Sequence, residues 1–183
     1  MRTGEAAKFT LKAFPAVCAI AMGLCLLTER VAGAFGVELH EQDMVGLVRS
    51  CAGWNLMFAA LVAQIAVLIP LAEEAIFRGA LFALPTFVAR RLGLRARPFA
   101  AVAAIASSAL FAFAHYVDWQ RVFAGKGFSL IGWNNAFLAL FFIGMAHCWL
   151  MRRTRSFTAP ALSHILFNTV NLVLIGVFAA FDG

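Results

Sequence analysis

Charge is what this sequence has least of. Asp, Glu, Lys and Arg supply 13% of its 183 residues, about half the share of an ordinary soluble domain, which argues against a conventional water-facing globule. The four cysteines, Cys18, Cys25, Cys51 and Cys148, form no CxxC pair and lie mostly in apolar runs. They read as small hydrophobes, which excludes a zinc or disulfide framework. No GxSxG and no HExxH occurs, so neither a serine elbow nor a helical zinc-protease motif is available. No internal repeat or low-complexity segment appears.

What is present is oil. Hydrophobic residues make up 63% of the chain, with 19 phenylalanines, and the mean hydropathy is +0.86. This composition specifies an all-α, polytopic membrane protein of one domain, with no separate soluble module. The net charge of +6 does not point to nucleic acid, because the basic residues fall in short clusters between apolar runs. These clusters are Arg2, Lys8 and Lys12; Arg90, Arg91, Arg95 and Arg97; and Arg152, Arg153 and Arg155. The 38–43 loop, ELHEQD, is acidic.

Apolar runs at roughly 10–34, 46–84, 98–116, 129–150 and 158–181 are each long enough for a span of ~20 residues. Five crossings with the N-terminus inside put every basic cluster on the cytoplasmic side and the acidic loop outside. The basic-then-apolar N-terminus resembles a signal peptide without a cleavage site, and is expected to stay as the first helix. The second run is overlong. Pro70 and Pro85 are expected to kink or end its helix, leaving residues 71–84 as a helical stretch between two breaks. Five simple spans separate His115 and His164 in depth. A sixth crossing at 71–90 would bring Glu73 and His115 together but place arginines outside, and a kinked or re-entrant segment lining a cavity would reconcile the two.

Inside these runs sit polar side chains that are costly at bilayer depth. In LIPLAEEAIFRGALF, Glu74 and Arg78 are spaced i, i+4 and can pair on one face. That pairing reads as a packing device. Glu73 lies about 100° round the helix with no partner of its own there, which marks it as functional. In LFAFAHY, His115 follows Phe111 by one turn. In SHILFNTVN, His164, Asn168 and Asn171 form a polar stripe, for which helix–helix hydrogen bonding is the plain alternative. His147, near the end of its run, is expected at the interface, and Asn134 and Asn135 beside Trp133 read as a membrane-boundary cluster.

Together these groups offer a free carboxylate, two imidazoles and an amide on three separate runs. Peptide hydrolysis needs an activated water and donors aimed at the developing oxyanion. Ser107, Ser108 and Ser163 have no triad arrangement, so acid–base activation of water is the chemistry that uses what is present.

At these residues the chain resembles the CAAX prenyl proteases and bacteriocin-processing enzymes, a family of glutamic-type intramembrane proteases. The motifs are EExxxR (Glu73, Glu74, Arg78), FxxxH (Phe111, His115) and HxxxN (His164, Asn168), in order and each within an apolar run, over about residues 56 to 181. A further element with glycines at four-residue spacing is only partly matched: Phe141 and Gly144 fit, and Cys148 stands where another glycine would. The resemblance implies that Glu73 activates water with His115, that His164 and Asn168 hold the oxyanion, and that Glu74 with Arg78 supports them. Residues 1–50, read as an N-terminal helix and acidic loop, add nothing to the resemblance; residues 51–183 are expected to form the protease core, with catalysis in the last four helical segments. No cofactor or metal is then required. A zinc protease using Glu73, His115 and His164 ranks second. A non-catalytic adaptor or immunity protein on the same scaffold, and a proton-coupled transporter, are the readings from other classes. The expected partners are membrane lipids and a membrane-associated peptide or protein substrate, in a bacterial or archaeal cytoplasmic membrane.

Overall fold

The computed structural model describes residues 2–40 and 56–181. Cys51, the part of the acidic loop from Glu41 to Asp43, and the boundary at residue 50 fall outside them. The described residues form a helical bundle: α1 (Thr3–Ala34), α2 (Leu56–Ala63), α3 (Ile69–Glu74), α4 (Leu84–Arg91), α5 (Ala96–Ala114), α6 (Trp119–Phe123), α7 (Phe137–Thr154) and α8 (Thr158–Phe181). An isolated antiparallel pairing of Val117 with Leu130 closes the α5–α7 connection. By length and composition, Thr3–Ala34, Arg97–Ala114 and Thr158–Ile175 can cross a membrane. Their outer faces carry exposed Leu26, Leu27, Val102, Ile105 and Val173, as lipid contact requires.

The stretch from α2 to α4 corrects the expected breaks at Pro70 and Pro85. It is one continuous helical rod of roughly 50 Å at the α-helical rise, in which two π-helical segments, Gln64–Leu68 and Ala75–Ala83, alternate with α-helix. At their ends the hydrogen bonds reach back five residues, from the Ile69 N–H to the Gln64 carbonyl and from the Leu84 N–H to that of Gly79. A proline disrupts an α-helix by removing one N–H and crowding the carbonyl four residues back. Each π segment ends within two residues of its proline, where its wider turn relieves that crowding. Such π-bulges are frequent at functional sites, and here they bracket the Glu73–Glu74 turn.

Helix contacts are made by small residues, as expected where lipid removes the hydrophobic drive between helices. On α1, Ala6 packs with Leu150 and Ala159, and Ala21 with Ala139 and Ile143. Gly144 of α7 lies so close to α5 that a Cβ there would stand 2.8 Å from Ser108 Cβ. One turn further on is His147, which this close approach carries into the bundle interior. The missing second glycine has a local replacement, because Cys148 is buried with its Sγ 3.5 Å from Ser107 Oγ.

Candidate active site

The α3 rod presents its two acids to different surroundings. Glu74 is fully buried, as are Arg78 and His147, whereas the Glu73 side chain keeps 24% of its surface and His115 keeps 33%. Of the two acids, Glu73 is the one a substrate can reach.

Around Glu74 the groups form a hub. Its Oε1 accepts from Nδ1 of His147 and from Nδ1 of His164, each at 2.9 Å. Arg78 Nε lies 3.3 Å from Oε2, a charge contact without hydrogen-bond alignment, since neither atom has a hydrogen-bond partner among the described residues. The i, i+4 pair is therefore where the spacing placed it. The guanidinium also lies over the Phe111 ring, 4.3 Å from its centroid, a cation–π contact in a dry setting.

Phe111 does more than pack. Its carbonyl is 2.8 Å from His115 Nδ1, and a carbonyl only accepts, so Nδ1 carries the proton. Its ring meets those of His115 and His164 edge-on, at 4.8 Å and 5.6 Å between centroids. The Glu74 carboxylate fixes His164 Nδ1 as a donor in the same way. Both imidazoles then turn Nε2 to Glu73: His115 Nε2 is 3.9 Å from Oε1, and His164 Nε2 is 3.5 Å from Oε2. These separations exceed a direct hydrogen bond. The two Nε2 atoms and the carboxylate converge without touching, near enough for a small proton-bearing species beside them to bond to more than one.

Asn168 stands one turn beyond His164 and donates from Nδ2 to the Ile65 carbonyl at 3.0 Å. In the five-residue register of the Gln64–Leu68 segment, the partner of that carbonyl would be residue 70, which is proline and has no N–H. The amide fills that place and ties α8 to the rod.

His147 is the residue that sequence reasoning misplaced. It is fully buried, with its ring 5.3 Å from that of His164, not interfacial. Its distance from the end of α7 was the misleading signal; the useful one was Gly144 a turn earlier, which marks close helix approach. Asn134 accepts from Tyr116 Oη and from the Ala136 N–H at the start of α7, while Asn135 hydrogen-bonds Glu29.

Glu74, His147 and His164 each offer a ligand atom within 4.8 Å of one another. A cation there would displace two N–H protons and sit against Arg78, so a hydrogen-bonded hub suits these residues better.

An α-helical membrane bundle with a buried carboxylate–histidine centre is the class that these features define. The chain belongs to the family of Rce1-like type II CAAX prenyl endopeptidases, whose model matches residues 54–170, a protease family. Neither the curated proteins nor the solved structures contain a significant match to it.

Proposed function

We propose that the protein is an intramembrane endopeptidase in which Glu73 and His115 activate a water molecule. The observation that carries this reading is the convergence of His115 Nε2 and His164 Nε2 on the two oxygens of the accessible Glu73, each ring fixed from behind through Nδ1. A water placed there gives one proton to Glu73, and its oxygen attacks the scissile carbonyl carbon. The carbonyl π electrons move onto oxygen. That oxyanion is held by the second N–H of Asn168 Nδ2 and by His164, which donates from Nε2 when it carries both ring protons, each facing a carboxylate. Collapse breaks the C–N bond, and the proton taken from water passes to the leaving nitrogen. Glu74 acts by holding His164, and Arg78 by balancing the buried charge of Glu74. Residues 51–183 would supply this machinery, and residues 1–50 the flanking helix.

A second reading uses the same convergence for zinc on Glu73, His115 and His164, with Glu74 behind His164 in the manner of an outer-shell carboxylate. Chelation separates the two.

Family membership supports a prenylated CAAX C-terminus as one candidate substrate; a leader or C-terminal tail peptide in a bacterial or archaeal cytoplasmic membrane is the other candidate. Purified protein in liposomes, offered a farnesylated CAAX peptide and a panel of apolar leader and tail peptides, should release fragments identifiable by mass spectrometry, and Glu73→Gln should release none. Release by Glu73→Gln at the parent rate would refute the mechanism. Failure of the parent protein to cleave any peptide would favour an adaptor.

A further inference from the structure

The proposed mechanism leaves the buried histidine of α7 without a task. His147 has no solvent exposure, and its Nδ1 is 2.9 Å from Glu74 Oε1, the same oxygen that holds His164. A buried imidazole is costly unless its hydrogen bonding is needed, and an apolar side chain at residue 147 would fill the same space between α7 and the rod.

Competition for Glu74 explains the need. Arg78 Nε is at Oε2, while its Nη1 and Nη2 are buried with no hydrogen-bond partner among the described residues. Guanidinium favours a two-pronged grip on a carboxylate, and the terminal torsion of a glutamate is broad and readily turned. Rotation of that carboxylate would give Arg78 both oxygens and withdraw Oε1 from His164. A second N–H on Oε1, delivered from a different helix, opposes the rotation.

We propose that His147 is a positioning residue: it pins Glu74 Oε1 beneath His164 and keeps Arg78 from drawing the carboxylate away. It acts on the reaction through Glu74 and His164 and touches no substrate. The inference rests on the proposed hydrolytic reading of the Glu73 site.

The test compares His147→Leu with His147→Asn, whose amide Nδ2 sits where the ring Nδ1 was. Loss of an orienting partner costs on the order of 10–100-fold in activity. His147→Leu should show that loss in kcat on whichever panel peptide is cleaved, with KM unchanged, and His147→Asn should recover most of it. Equal loss in both variants, or no loss in His147→Leu, would overturn the proposal. Because His147→Leu can fail to fold, a second measurement uses the parent protein with 15N-histidine. Slowly exchanging Nδ1–H signals should appear for the two buried rings, His147 and His164, apart from the one-third-exposed His115, and His147→Asn should remove one of them while leaving the other. A His147 ring protonated on Nε2 alone would also overturn the proposal. This arm needs no substrate, so it stands apart from the hydrolytic reading, which falls if Glu73→Gln still cleaves.

Discussion

Glu73 and Glu74 are adjacent in the chain and opposite in environment. Glu74 is sealed against Arg78, His147 and His164, while Glu73 faces His115 and His164 with a quarter of its side chain open. About 100° of helical rotation separates them, which is enough to aim one acid into the bundle and the other along its opening. Substitutions at the two positions should therefore fail in different ways.

Glu73→Gln keeps size and hydrogen-bonding capacity and removes the proposed base. Peptide cleavage should disappear while the thermal unfolding midpoint in detergent stays close to that of the parent. His115→Ala should lose on the order of 10²–10⁴ in turnover, the usual contribution of a positioned acid–base partner. A steady-state assay beside a melting curve checks both.

Glu74→Gln should appear first as instability. It leaves Arg78 charged, fully buried and without its counter-ion, and breaking a buried pair by removing one member typically costs ~3–5 kcal/mol. Combining it with Arg78→Met removes the stranded charge, and much of the lost thermal stability should return. Activity should not return, since His164 is still without its carboxylate. A double variant no more stable than Glu74→Gln would show that the pair contributes little.

Much of this arrangement was legible in the sequence, for definite reasons. Helical spacing alone pairs Glu74 with Arg78 and sets Glu73 apart, and Phe111 one turn before His115 anticipates the carbonyl that holds its ring. Two features were hidden. The π segments have no compositional signature, so Pro70 and Pro85 read as breaks when the rod runs through them. The burial of His147 depends on how closely α7 approaches α5 at Gly144, a tertiary distance that no periodicity encodes. The separation in depth expected for His115 and His164 fails for a related reason. Both side chains reach one carboxylate on a rod that packs against α5 and α8, so each has only to reach the rod.

Chelation decides between water and zinc. A water held by Glu73 and His115 needs no ion, so extensively chelated protein should keep its activity and contain no stoichiometric metal by elemental analysis. A zinc site would lose activity on chelation and regain it with added Zn²⁺, as a catalytic metal with an open position does. That pattern would replace the glutamic mechanism by the metal one.

The most discriminating experiment concerns Asn168, to which the proposed mechanism gives an oxyanion task beside its structural one. One N–H of its amide satisfies the Ile65 carbonyl at 3.0 Å; the other is free for an oxyanion. Asn168→Ala should lose stability, because it leaves the partly buried Ile65 carbonyl unpaired, at a cost of up to ~1–3 kcal/mol, and should also lose ~10²–10³ in turnover if an oxyanion donor is gone. Adding Pro70→Ala restores an N–H in the register that Ile65 requires. The double variant should therefore regain stability and remain slow. Recovery of both would mean that Asn168 only ties α8 to the rod, and recovery of neither would mean that the proline at residue 70 is not what leaves that carbonyl open.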